Sequence, residues 1–313
     1  MILIVGASGV LGQVAAHHLL QAGHRVRVLT RVPARAIALA QAGAEVVAGD
    51  LTDATSLPPA LRGVETVLTA AHGLLGRGKY SSEKVDDAGH RALIEAAKRA
   101  GVRHFIYSSV HGASPTHPID FCRTKYRIEQ YLHQSGLPYS ILRPSAFMEW
   151  HAHNLLGKSI LEKGSTVIMG AGTNPTNFVA AQDIARLVLR LLADEQVRNR
   201  IIPIGGPTNP TKNEVAALYG QRAGITPKVR HLPVGLLRAM AAVLRPFHPG
   251  ISRVLQMSVW AEQHDQTLDM ADTLRLFPLP LTSIEAFVAE QVARHPPRRT
   301  TRAAEVAAPS PTT

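Results

Sequence analysis

Gly6, Gly9 and Gly12 recur at three-residue spacing in Gly6-Ala7-Ser8-Gly9-Val10-Leu11-Gly12, directly after the apolar run of residues 2–5. The run reads as a buried parallel strand, and Leu11, Val14, Ala15, Leu19 and Ala22 recur at helical spacing, so the glycines sit at a strand-to-helix junction. Such a junction is built to seat a dinucleotide pyrophosphate. Gly6 permits the tight turn, Gly9 lets the backbone approach the phosphates, Gly12 allows close helix packing, and the helix N-terminus supplies amides and positive dipole. All seven residues from Gly6 to Gly12 are therefore expected on the cofactor; a purely structural glycine turn is the competing reading. The second strand, 25–29, ends in Thr30-Arg31, where a site selecting NAD places an acid for the ribose 2′-hydroxyl. An Arg fits a 2′-phosphate instead, so NADP(H) is favoured over NAD(H), with Arg31, Thr30 and Arg35 around the phosphate. The competing reading is a solvated Arg at a helix start.

These residues need a scaffold, and the chain supplies strands in alternation with helical segments. Residues 45–48 read as a third strand, followed by Asp50 and Leu51; residues 66–71 read as the fourth, ending in Ala70-Ala71-His72-Gly73; residues 104–108 read as the fifth, ending in Ser108. This alternation over the first 143 residues predicts an α/β, doubly wound parallel sheet. Beyond Thr211, a predicted N-cap for a helix through Gly224, the chain reads as wholly helical, with final helices over 251–264 and 283–294. From His295 onward, Pro, Arg, Ala, Ser and Thr dominate without apolar periodicity, which predicts a disordered tail over 295–313.

The glycine segment resembles the short-chain dehydrogenase/reductase superfamily in its extended and atypical branches. Three further segments narrow this: Ser135 through Arg143-Pro144-Ser145-Ala146-Phe147-Met148-Glu149, then Asn177 through Asp183-Ile184-Ala185, and Ile201 through Gly205-Gly206-Pro207. Together they resemble the NmrA-like atypical reductases over residues 1 to about 230. The resemblance implies a Rossmann domain from 1–143 plus 178–204 and a smaller, mainly helical substrate region from 144–177 plus 205–294. It places Asp50 and Leu51 beside the adenine, although Asp50 also suits a helix cap. Ala70 and Ala71 then pass under the cofactor, and Ser108 flanks it. The family includes quinone, dye and isoflavone-type reductases, and co-regulators that bind the dinucleotide without turning it over.

The best-known members of the superfamily carry Tyr-x-x-x-Lys on the helix after the fifth strand, where Lys binds the nicotinamide ribose and Tyr protonates the reduced carbonyl. This chain has Phe121-Cys-Arg-Thr-Lys125, keeping the Lys and losing the Tyr. Lys125 is the expected catalytic residue. Tyr80-Ser-Ser-Glu-Lys84 has the spacing but precedes the fifth strand, and Tyr126 is about 100° round the helix from Lys125. Without a phenol, the hydride acceptor is expected to be a small activated molecule such as a quinone or enone, with His111 as a candidate donor. The alternative function is a non-catalytic NAD(P)-binding sensor, regulator or assembly factor.

The 313 residues carry a net charge of +11 and a single cysteine, Cys122. The arginines are dispersed and no nucleic-acid motif accompanies them, so a nucleic-acid partner is not expected. His151-Ala-His153 lacks a third ligand cluster, and no metal is expected. Residues 234–260 are rich in apolar side chains, with Arg238 and Arg245 one heptad apart, and suggest peripheral membrane contact or two helices covering a pocket. Cysteine usage and the immediate start of strand one suit a cytoplasmic protein.

Overall fold

In a computed structural model, which describes residues 1–297, the first half of the chain alternates strand and helix. The order is β1 (Ile2–Val5), α1 (Val10–Gln21), β2 (Val26–Thr30), α2 (Ile37–Gln41), β3 (Glu45–Ala48), α3 (Leu57–Leu61), β4 (Thr66–Thr69), α4 (His90–Arg99), β5 (His104–Ser108), α5 (Asp120–Gln134) and β6 (Tyr139–Pro144). The chain then forms β7 (Ala146–Phe147), α6 (Lys158–Lys163), β8 (Ser165–Met169), β9 (Phe178–Val179), α7 (Ala181–Ala193) and β10 (Arg200–Ile204). It closes with α8 (Lys212–Ala223), β11 (Lys228–Leu232), α9 (Val234–Leu244), α10 (Pro249–Gln263), α11 (Ala271–Leu276) and α12 (Ile284–Arg294). Two stretches of wider π-helical turns, Glu83–Gly89 and Met148–Gly157, run directly into α4 and α6.

Seven strands make one parallel sheet in the order β10-β6-β5-β4-β1-β2-β3. The chain winds outward from β1 through β2 to β3, then restarts at β4 on the other side of β1. Strand order reverses between β1 and β4, which is where open α/β sheets bind ligands, beyond the carboxyl ends of the strands. The period-two pleat divides β1 between the two faces. Ile2 and Ile4 join α1 and α7 side chains such as Leu19, Ile184 and Val188 in one core, whereas Leu3 and Val5 join Leu61, Leu93, Ile128 and Leu132 in the other. Both faces are covered, which is why these strands read as unbroken apolar runs rather than alternating ones.

A third core, around Met148, Leu156, Ile160, Tyr219 and Phe287, belongs to the region after β6. Asn177 ties that region to the sheet. Its buried side chain accepts from the Gly206 N–H (2.9 Å) and the Ser145 hydroxyl (2.8 Å), and donates to the Gly206 carbonyl (3.1 Å) and Asn209 Oδ1 (2.8 Å). A Cβ on Gly206 would stand 2.1 Å from the Phe178 carbonyl oxygen, so only glycine fits there. Asp183, fully buried, accepts from both the N–H and the hydroxyl of Thr282, fastening α7 to the segment before α12.

One expectation for the C-terminal part is corrected. The chain beyond Thr211 is not wholly helical, since β11 pairs in parallel with β8, from Lys228 opposite Ser165 to Leu232 opposite Met169. Its sequence, KVRHL, has only two apolar residues and little periodicity to announce a strand. Thr211 does cap α8, in a reciprocal capping box with Glu214, and Gly224 ends it with φ +67°. The tail expected over 295–313 lies, after Pro297, outside the described residues.

Candidate functional site

The glycine turn leaves β1 at Gly6, whose φ of +94° lies in the left-handed region. A Cβ there would come within 2.6 Å of the Ala71 backbone nitrogen, so the exit of β4 packs against the turn through Ala70 and Ala71. Gly12 has a different constraint: a Cβ on it would stand 2.3 Å from the Gly6 carbonyl oxygen, so α1 lies on the turn at backbone contact. Gly9 is not constrained in that way, its nearest neighbour being 3.4 Å off, and it and Ser8 face solvent while Ala7 and Leu11 are buried and Val10 is half-buried. No side chain caps α1 and no acid stands in its first turn. The helix thus presents uncapped amides and positive dipole over an exposed glycine, which is the surface a pyrophosphate requires.

At the end of β2, Thr30 is buried and its hydroxyl is occupied locally, bonding the backbone of Val32 at 3.2 Å. Arg31 is exposed and stacks over Tyr80, its guanidinium carbon 4.2 Å from the ring centroid; Lys79 Nζ lies 4.9 Å from the same ring. Among the described residues neither cation is in a salt bridge. Tyr80 therefore belongs to a cationic corner beside β2 instead of to a Tyr-x-x-x-Lys pair. Arg35 stands exposed in the turn that follows β2. Asp50 accepts from the Thr52 N–H at 2.9 Å and so caps its own turn, next to a buried Leu51.

Lys125 lies on α5, only 3% exposed. Its Nζ donates to the Ser108 carbonyl at the end of β5 (3.2 Å) and stands 3.6 Å from Asp86 Oδ1, with the Tyr107 and Phe121 rings 5.0 and 5.4 Å away. Burial lowers the ammonium's pKa from its ordinary value, and the adjacent Asp86 works against that shift. Asp86 is wholly buried in the π-helical stretch before α4; its Oδ2 accepts from the Gly73 N–H (3.0 Å), while Oδ1 has no hydrogen-bond donor of its own. One carboxylate thus links the loop leaving β4 to the lysine on α5. Behind it, His90 sits between Thr69 Oγ1 (3.0 Å) and the Val85 carbonyl (2.8 Å), and burial, with Lys125's charge adding, pushes its pKa down to about 4. The imidazole is neutral, donating to the carbonyl and accepting from the threonine.

A second buried network braces the same elements. Glu129 on α5 accepts two hydrogen bonds from Arg143 on β6, one of them Nε to Oε1 at 3.0 Å, and a short one from the Ser109 hydroxyl just past β5. Neither Asp86 nor Glu129 was among the expected site residues. Both look like ordinary acids on polar helix faces, and only the wrap of the chain turns them inward.

The Phe121 end of α5 is covered from the C-terminal helices. Ile119, Phe121 and Cys122 form a small apolar cluster against which Leu74, Val110 and Met257 pack. Arg253 on α10 donates to both Asp120 carboxylate oxygens (2.8 and 3.0 Å) and to the Leu74 carbonyl (2.7 Å), clamping α10 over the β4 loop and the start of α5. Trp150 is 44% exposed and Phe147 packs against the sheet core, so neither belongs to that cluster. Tyr126 turns away from Lys125 and lines a separate cleft of about 420 Å³ with Arg91, Arg127 and Tyr131. His111 is half-buried beyond β5, and burial lowers its pKa. His153 bonds the Tyr219 hydroxyl (3.2 Å) and stacks on His295; among the described residues no group of three or more His, Cys, Asp or Glu is gathered as for a metal.

The sequence profile of the NmrA-like family matches residues 1–288. A chloroplast protein of Arabidopsis thaliana named for a high-chlorophyll-fluorescence phenotype is 34% identical over 79% of this chain, which spans 61% of that relative's own length. The photosystem II assembly factor Ycf39 of Guillardia theta is 29% identical over 94% of both chains. An NAD(P)H azoreductase of Xenophilus azovorans is 32% identical over 78% of this chain and 80% of its own. Among solved structures, an NADPH-dependent quinone oxidoreductase of Escherichia coli superposes with a TM-score of 0.73 at 25% identity, over 93% of this chain and 99% of that one.

Proposed function

This chain belongs to the NmrA-like family, and on that footing we propose that it is an NADPH-dependent reductase passing hydride to a small activated acceptor without a tyrosine acid. The observation that carries this reading is Lys125, kept buried on α5 beside the end of β5 while the tyrosine position is Phe121. Glycine geometry, an uncapped α1 and the exposed Gly9 support seating a pyrophosphate; Arg31 with Lys79 supports a 2′-phosphate over a bare ribose. When bound, the dinucleotide supplies the hydride. Lys125 would supply N–H donors to the ribose hydroxyls, its direction fixed by Asp86 and the Ser108 carbonyl. The apolar cluster under α10 keeps water from the acceptor side. With no phenol to donate a proton, an acceptor that spreads its own developing negative charge, such as a quinone, conjugated enone or dye, suits the site better than an isolated ketone.

A second reading, a dinucleotide-holding assembly factor with no turnover, is supported by the full-length similarity to Ycf39 and by Met257 packed on the Phe121 cluster. Calorimetric titration with NADPH and NADH, followed by quinone-dependent NADPH oxidation, separates the two. The reductase reading expects NADPH to bind in preference to NADH, Arg31→Glu to weaken NADPH about tenfold or more while sparing NADH, and quinone to drive oxidation. Binding without turnover on any acceptor of these classes supports the second reading; no binding of either nucleotide sinks both.

A further inference from the structure

Helices α9 and α10 carry a row of apolar side chains that nothing among the described residues covers. Leu236, Met240, Val243, Phe247 and Ile251 are all exposed, Val243 at 67% and Phe247 at 73%. Leu236, Met240 and Val243 fall at i, i+4 and i+7, on one side of α9, whereas Leu237 and Ala241 turn inward to pack with Leu255 and Val259 of α10. Phe247, in the turn after α9, and Ile251, in the first turn of α10, are the next exposed apolar residues along the chain. Leu75 joins them, being 46% exposed on a loop that meets Gly250 so closely that a Cβ there would stand 2.6 Å from Leu75's backbone.

Along the segment that carries this row the charged residues are all basic, although Arg253 is neutralised by its salt bridge to Asp120 of α5. From Val215 to Ala261 the chain has no Asp or Glu, yet carries Arg222, Lys228, Arg230, Arg238, Arg245 and Arg253. Arg77 and Lys79 follow Leu75 in the loop. Arg238 and Arg245 lie on the opposite side of α9 from the row, Arg238 bonding Gln263, so they do not ring it. A helix is about 10 Å thick and the Debye length is about 8 Å in physiological salt, so salt weakens the field of these two arginines to roughly a third across α9, and what remains adds to the basic surroundings of the row.

We propose that this face docks on an anionic lipid bilayer, with the row from Leu236 to Ile251 entering the headgroup layer. Pairing with a second copy of the chain through the same face would bring two acid-free, basic segments together, which like-charge repulsion opposes. A phospholipid surface of negative charge satisfies both the apolar row and the field around it. No helix among the described residues is long and apolar enough to cross a membrane, so the contact is one of docking. The outer side of α10 meets lipid while its inner side, through Arg253 and Met257, covers Phe121. The acceptor is accordingly a lipid-soluble one; that clause, unlike the docking, rests on the reductase reading.

Vesicle flotation of the full chain tests this, with phosphatidylcholine vesicles prepared with and without phosphatidylglycerol. The protein is expected to float with the anionic vesicles, to lose most of that association without phosphatidylglycerol or in high salt, and to drop about tenfold in the Val243→Asp/Phe247→Asp variant. Flotation failing for the unaltered protein, or persisting undiminished in the variant, overturns the proposal. So does light scattering that shows a dimer in the unaltered protein and a monomer in the variant, which would make the face a contact between copies. Calorimetry with NADPH on both proteins checks that the variant is folded. It also keeps the tests apart, because loss of nucleotide binding in both would remove the reductase reading without touching the flotation result.

Discussion

Lys125 has few routes to satisfy its charge: a backbone carbonyl, one carboxylate and two aromatic rings surround it. Replacing it by Met leaves Asp86 buried without its cation, and breaking such a pair costs about 3–5 kcal/mol. Urea unfolding should show a loss of that order in Lys125→Met, with much of it recovered when Asp86→Leu is added; independent, additive losses would mean that the pair is not coupled. Quinone-dependent oxidation by Lys125→Met should fall about a hundredfold or more, a loss that stopped-flow or steady-state assay would read directly. The lysine itself was legible from Phe121-Cys-Arg-Thr-Lys125 and the family resemblance. Its carboxylate partner was not, because Asp86 lies 39 positions earlier in sequence and nothing local distinguishes it from the neighbouring Asp87, which pairs with Arg91 and Arg127 nearer the surface.

Between β1 and α1 the three glycines have separable duties, so their replacement by alanine should separate stability from binding. Gly12→Ala forces a methyl onto the Gly6 carbonyl and is expected to lower the stability by roughly 2 kcal/mol or more and to abolish NADPH binding. Gly9→Ala meets only ordinary contact in the free protein. Its melting temperature should stay within a few degrees of the original while calorimetry shows weakened NADPH binding, the added methyl standing where phosphate is expected. Equal destabilisation by both substitutions would show that Gly9 serves packing after all. The packing duties of Gly6 and Gly12 were readable because the spacing sits between an apolar strand and an amphipathic helix. The strand β11 was not, since its pairing with β8 is decided by the third core beneath it rather than by its own mostly polar residues. Arg253→Ala should loosen α10 by about 1–3 kcal/mol without disturbing the glycine turn, so limited proteolysis near α10 would quicken while NADPH binding held.

Across the molecule, the interior stores histidines in their neutral form. Burial lowers His90 and His104 to about 4, and both would titrate near 6.5 in an unfolded chain. Above that pH neither state carries the proton and stability is at its full value. As pH falls from about 6.5 to 4 the unfolded chain takes up protons that the folded chain refuses, so stability declines by on the order of 3 kcal/mol per histidine. Urea unfolding from pH 7.5 to 4.5 should show that fall, and His104→Gln should make it shallower; a flat profile would mean that these rings are hydrated. At this scale the sheet and its winding were legible, because strands buried on both faces leave unbroken apolar runs. The closure of α10 over the β4 loop was not, since it depends on an Arg and an Asp 133 positions apart. Cys122 offers a direct view of that closure. Its thiol, pushed up to about 12 chiefly by burial, lies in the cluster that Met257 of α10 covers. With the thiolate disfavoured under that cover, the rate at which iodoacetamide alkylates this one sulfur reports how often α10 exposes it, and slowing of that rate by NADPH or a quinone would show that the ligand holds α10 in place.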